Sequence, residues 1–178
     1  MKNIAQSYLI PATLAEVWRA LTVPRIIEEW SDADAEFEPT IGFEYSLWDG
    51  SIGGEIVQVE KHKKLVQTWK PEDWTIDNSV VTFTLTPDGK ATRVDLLHEN
   101  VEDFDFAGTT EGWDLYYLGA IKRMFEARPR NAKGGNTKPA KKAKAAKKTT
   151  AKVAKGKTAT KKKIVAKKSA SKLSKKKK

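Results

Sequence analysis

The feature that most constrains this chain is a break in composition after Arg128. Every one of its 23 acidic residues lies before Pro129, together with only 12 of its 33 basic ones. The first 128 residues therefore carry a net charge of −11 and the last fifty carry +21, two opposite objects that the overall +10 conceals. Aromatic side chains stop at the same point, Phe125 being the last. A core can form only in residues 1–128, and charge asymmetry of this kind marks a basic tail on an ordinary domain.

Residues 129–178 hold 20 Lys, 10 Ala and 5 Thr, with Val153, Ile164, Val165 and Leu173 as the only aliphatic side chains larger than alanine. So little apolar surface cannot offset the roughly 1–2 kcal/mol per residue that ordering a backbone costs, and like charges repel; a disordered tail is expected. Lys141, Lys142, Lys144, Lys147 and Lys148 alternate with alanines, good helix formers once a polyanion neutralises the charge. With Lys161, Lys162, Lys163, Lys167 and Lys168 they are the expected phosphate contacts. Each phosphate neutralised releases condensed cations, which gives salt-dependent affinity without base readout, and no aromatic is present to stack on bases. The composition resembles the tails of linker histones and the lysine-rich extensions of some bacterial nucleoid proteins. That resemblance implies nucleic acid as partner; polyphosphate, anionic lipid, the acidic domain itself or simple solubility are the alternatives.

Several classes are excluded early. The chain has no cysteine, hence no disulfide, thiolate nucleophile or cysteine zinc site, and its two histidines, His62 and His98, stand 36 positions apart without an evident carboxylate partner. There is no nucleophile elbow and no glycine-rich phosphate loop, so no enzyme chemistry, cofactor or metal is expected. No run approaches the length of a membrane span, and the first eleven residues lack the pattern of a secretion signal. The expectation is a cytoplasmic protein, nucleoid-associated in a bacterium or nuclear in a eukaryote.

Within residues 1–128, positions 2–10 read as a strand ended by Pro11. Thr13 suits the N-cap of a helix over 14–21, where Leu14, Val17, Trp18 and Leu21 recur at helical spacing. Pro24 opens a second short helix over 25–30. Strands follow at 43–48, 52–60, 65–69, 80–86 and 92–98, separated by turn residues such as Asp49-Gly50 and Pro87-Asp88-Gly89. Residues 108–127 read as one long helix whose Trp113, Tyr116, Tyr117, Ala120, Ile121, Met124 and Phe125 share an apolar face. This order predicts an α+β layout with the last helix packed on a curved antiparallel sheet.

Three segments carry a family resemblance: IPATLAEVWRALTVPRIIEEW at 10–30, FEPTIGFEYSLWDGSIGGEIVQVEKHKKLVQTW at 37–69, and His98 followed by EGWDLYYLGAI at 111–121. They resemble the activator-of-heat-shock-ATPase-like (AHSA1-like) branch of the START/SRPBCC, or birch-pollen-allergen, superfamily. The resemblance implies a helix-grip fold over residues 1–128, with a cavity between sheet and last helix used for lipids, hormones, polyketides or protein partners. Fold alone does not choose the occupant. It also implies, as a second reading, a co-chaperone of the ninety-kilodalton heat-shock ATPase; eukaryotic activators of this kind carry a separate N-terminal docking domain that has no counterpart in these 178 residues. A small-molecule enzyme using the cavity is the third reading.

Candidate cavity residues follow from burial and alternation. Trp48, Trp69 and Trp113 are expected to face the cavity, with Tyr117 on the apolar face of the last helix; the remaining tryptophans are assigned to the core. Alternation places His98 in an inward row with Val94 and Leu96, at the cavity mouth or as a satisfied core histidine. Glu55 shares a strand face with Val57 and Val59, so it is either a buried carboxylate or exposed by an edge or bulge near Gly53-Gly54. His62, in a lysine-rich turn, is expected to be solvated. The chain is thus read as a non-enzymatic binding module for a small apolar ligand or protein partner, tethered to nucleic acid by its tail.

Overall fold

A computed structural model describes residues 1–128, so the tail and its phosphate-contact lysines lie outside the described residues. The chain opens with β1 (Lys2–Ile10), whose Ile4, Tyr8 and Ile10 point inward, and turns at Pro11 into α1 (Leu14–Thr22). α1 starts where a capping box forms: the Glu16 amide donates to the Thr13 hydroxyl, and the Thr13 amide donates to the Glu16 carboxylate at 3.0 Å. The Thr13 amide is also the main cause holding the Glu16 carboxyl below its ordinary value. α2 (Pro24–Ser31) begins on its proline and ends with Asp32 in the left-handed region.

Next come β2 (Ala35–Glu36), β3 (Glu44–Leu47), β4 (Ile52–Glu60), β5 (Lys64–Thr68), β6 (Lys70–Pro71), β7 (Val80–Asp88) and β8 (Ala91–Val101). They form an eight-stranded antiparallel sheet in the order β1-β8-β7-β5-β4-β3-β2, with β6 paired to β4. The five expected strands of this region are present, and the two-residue strands β2 and β6 are additional. Two residues are too few for alternation to show in a sequence. One sheet face, carrying Tyr45, Leu47, Ile56, Leu65, Val81, Phe83, Leu85, Val94 and Leu96, is buried against the helices in one continuous core. This is the α+β helix-grip architecture.

The expected long helix over 108–127 is instead two, α3 (Phe106–Leu115) and α4 (Leu118–Glu126). The break lies at Tyr116–Tyr117, where both amides donate to the Gly112 carbonyl, at 2.8 and 3.2 Å, before α4 restarts with Ile121 N–H bonded to the Tyr117 carbonyl. From the break onward Tyr117, Leu118, Ile121 and Phe125 are all buried in the core, as Trp113 is before it. Arg123 stabilises the break by donating to the Asp114 and Leu115 carbonyls left over at the end of α3. Among the described residues no helix is long and apolar enough to cross a membrane.

Candidate functional site

The sheet side of the site is built by tryptophans at strand ends. Trp69 follows β5 in phase with Leu65 and Gln67, so the pleat points all three inward. Trp48 closes β3 in the left-handed region, φ 50°, followed by Asp49 at 56° and Gly50 at 93°. A bulky residue in that region costs on the order of 1–3 kcal/mol and persists only where surroundings enforce it. Here Asp49 enforces it: its carboxylate accepts from the Asp34 amide at 3.1 Å, and its own amide donates to the Asp34 carbonyl at 3.3 Å. The Trp48 ring is thereby set edge-on to Trp30, 5.9 Å away.

The helix side comes from α3 and the break. Trp113 and Tyr117 lie 4.9 Å apart, Trp113 packs 4.8 Å from Trp69, and Tyr117 stands 5.8 Å from Trp48. Facing these rings α3 presents Gly108, Thr109 and Gly112, side chains too small to fill the space. A Cβ added at Gly112 would meet nothing within 4 Å. The result is a pocket of about 490 Å³ bounded by the four aromatics, the small α3 face, Ile52 and Pro71, with exposed Tyr116 at its rim. Its one charged wall residue is Asp105, whose Oδ2 accepts from the Trp74 indole and the Thr109 hydroxyl, both at 2.9 Å.

The structure brings Trp48, Trp69, Trp113 and Tyr117 together on one wall and leaves His98 and Glu55 off it. His98 is not at a cavity mouth; it is fully buried beneath Trp113. The Trp113 indole donates to His98 Nδ1 at 3.2 Å, while Nε2 lies 2.8 Å from the Ser79 hydroxyl, which itself donates to the Glu99 carbonyl. With Nδ1 accepting, the ring proton sits on Nε2 and both nitrogens are committed. Burial pushes its pKa down to about 3, and the Trp74 ring stacks on it at 5.8 Å. The satisfied core histidine is therefore the reading that holds.

Glu55 is exposed. Ile56 points inward, so the pleat sends Glu55 and Val57 to solvent, and a register shift between Ile56 and Gln58, rather than at Gly53-Gly54, returns Val59 toward the core. His62 is half-buried with its ring edge-on to Trp18 at 6.0 Å, not fully solvated.

Two features escaped the sequence reading. The small face Gly108, Thr109, Gly112 had a signal in the i, i+4 glycine spacing. The other is Gln67, which is fully buried in the inward row Leu65–Gln67–Trp69, with neither side-chain polar atom partnered among the described residues. Alternation along 65–69 alone placed it inward.

Comparison with known proteins agrees with this architecture. A Dictyostelium discoideum activator of 90 kDa heat shock protein ATPase homolog is 34% identical over 101 residues, 56% of this chain and 26% of that protein. An HSP90 activator from Plasmodium falciparum superposes with TM-score 0.65 at 23% identity, covering 71% of this chain and 97% of its own, which speaks for the fold. A Mesorhizobium loti protein superposes with TM-score 0.60 at 28% identity, covering 70% and 97%. The curated relatives are much longer, this chain spanning 26% to 38% of their length. The family described as Activator of Hsp90 ATPase homolog 1-like protein matches residues 11–126, and the chain belongs to that family.

Proposed function

We propose that residues 1–128 act as a non-enzymatic binding domain whose aromatic pocket takes a flat apolar group, and that the lysine-rich tail tethers this domain to a polyanion, foremost nucleic acid. The observation that carries the first part is the pocket itself. Its volume of about 490 Å³ lies in the range of sites for small organic molecules, and four aromatic rings surround it. Burying a planar apolar group there gains roughly 25 cal/mol per Å² removed from water. His98 is sealed in the core and Glu55 lies in solvent, while the pocket's one carboxylate, Asp105, is engaged by the Trp74 indole and the Thr109 hydroxyl.

Replacing Gly112 tests this reading. A leucine at that position points into open pocket space while favouring the helix over glycine. Titration of the full chain with an environment-sensitive naphthalene dye should show saturable binding and altered tryptophan emission, both lost in Gly112→Leu at unchanged thermal stability. Equal dye binding by both proteins would remove the pocket from consideration.

The names of the relatives favour a second reading, in which the apolar group belongs to a protein and the domain serves as a co-chaperone of a heat-shock ATPase. Adding the full chain to the 90 kDa heat-shock ATPase of the same organism should then raise ATP turnover, less so with Gly112→Leu. An unchanged rate at saturating protein would eliminate it.

A further inference from the structure

Asp105 is the one charged residue in the pocket wall, and its two carboxylate oxygens are used differently. Oδ2 accepts from the Trp74 indole and the Thr109 hydroxyl, both at 2.9 Å, which holds the group in place. Oδ1 has neither a hydrogen-bond donor nor a cation among the described residues. It lies over Gly108, an exposed residue of the same wall, where an added Cβ would meet it at 2.7 Å. The residue stands at the N-cap of α3, where an aspartate usually accepts from an amide of the first turn, yet its side chain caps nothing. Its carboxylate is therefore directed at the pocket wall and not at the helix. The cations close by in the chain pair with other groups, Lys2 with the Phe106 ring at 4.9 Å and the Met1 ammonium with Asp103 at 3.5 Å.

Most of the remaining wall is aromatic. Tyr116, 64% exposed, and the half-buried Trp48 are open to solvent, while Trp69, Trp113 and Tyr117 form the buried floor. An aromatic ring carries negative charge on its faces and attracts a cation within about 6 Å of its centroid. No cationic side chain lines the pocket, and residues 1–128 carry −11 overall. The dipole of α3 sets about half a positive charge at the Asp105 end, which the full negative charge of the carboxylate outweighs. We propose that the pocket selects a flat organic cation, its ring system against the aromatic wall and its positive nitrogen at Asp105 Oδ1. That nitrogen is quaternary or part of a charged ring. A primary ammonium would bring three N–H donors to a wall with few acceptors, and a neutral hydrocarbon would cover the carboxylate oxygen without pairing it.

This inference rests on the pocket reading above, and the test separates their failures. The probes are 1-methylquinolinium and 1-methylnaphthalene, flat and near-isosteric molecules that differ by one fixed charge. Their affinities for the full chain and for its Asp105→Asn and Tyr116→Leu variants are measured by equilibrium dialysis at constant ionic strength, and the melting temperature of each protein is recorded. Asparagine keeps an acceptor oxygen for Trp74 and Thr109 and removes the charge. The unaltered chain should bind the quinolinium. The ratio of quinolinium to naphthalene affinity should fall about tenfold in Asp105→Asn, with naphthalene affinity nearly constant, and roughly threefold in Tyr116→Leu. A purely structural Asp105 would move both probes together, so an unchanged ratio in Asp105→Asn overturns the cation subsite and leaves the pocket standing. Binding of the naphthalene without the quinolinium by the unaltered chain does the same. Should Asp105→Asn fail to fold, the ratio in Tyr116→Leu, a change at an exposed ring, decides alone. No binding of either probe by the unaltered chain overturns the pocket reading together with the subsite.

Discussion

His98 shows how much a single side chain depends on what packs round it. With its folded pKa lowered to about 3 by burial, it stays neutral in the folded protein where an unfolded chain, near 6.5, takes up a proton. The unfolded state then binds more protons below pH 6.5, so this contribution to stability is complete above that value and is lost as pH falls toward 3. Urea unfolding should show about 2 kcal/mol of stability lost between pH 7 and pH 5 on this account, a range in which ordinary carboxylates remain mostly ionised. In His98→Gln the stability should be lower at pH 7 but nearly level over the same range. A variant whose pH slope matches the parent would show that His98 is not the group titrating. Alternation along 92–98 pointed this histidine inward. Its partners, Ser79 and Trp113, come from elements far away in the chain, and no local pattern contains them.

At the level of elements, the short helices and long strands were legible because their signals are local. Thr13 and Glu16 close a capping box three residues apart, and Pro24 sets the first turn of α2. The break between α3 and α4 was not legible, because residues 113–118 contain neither proline nor glycine and helical spacing runs straight through them. Its one sequence trace is Gly119, where an added Cβ would overlap the Asp114 carbonyl at the end of α3. Gly119→Ala, normally stabilising in a helix, should here cost roughly 2–3 kcal/mol by forcing the two helices apart. Chemical denaturation compared with Gly112→Ala, which meets open space and should be neutral or stabilising, checks the point. Equal effects at both glycines would mean the close approach is unimportant.

At the level of the whole molecule, the charge division makes a prediction about the proposed tethering. Full-length protein should bind duplex DNA with little sequence preference, log K falling with log salt by about 0.9 per phosphate neutralised. Residues 1–128, with a net charge of −11, should not bind, and a peptide of residues 129–178 should bind somewhat more tightly than the full chain at low salt, where the domain's repulsion reaches furthest. Gel-shift titrations at several salt concentrations check this, and binding carried by the domain would refute the tail's role. The sequence by itself determined where a core can form, the α+β element order, the helix-grip family and the inward faces of the main strands, since each is written in composition, periodicity or contiguous motifs. Only the tertiary structure decided that the last helix divides, that Trp48, Trp69, Trp113 and Tyr117 meet round one cavity, and that His98 is sealed in the core beneath Trp113. Those outcomes depend on which distant side chains compete for the same space, and that competition exists only once the sheet has closed over the helices.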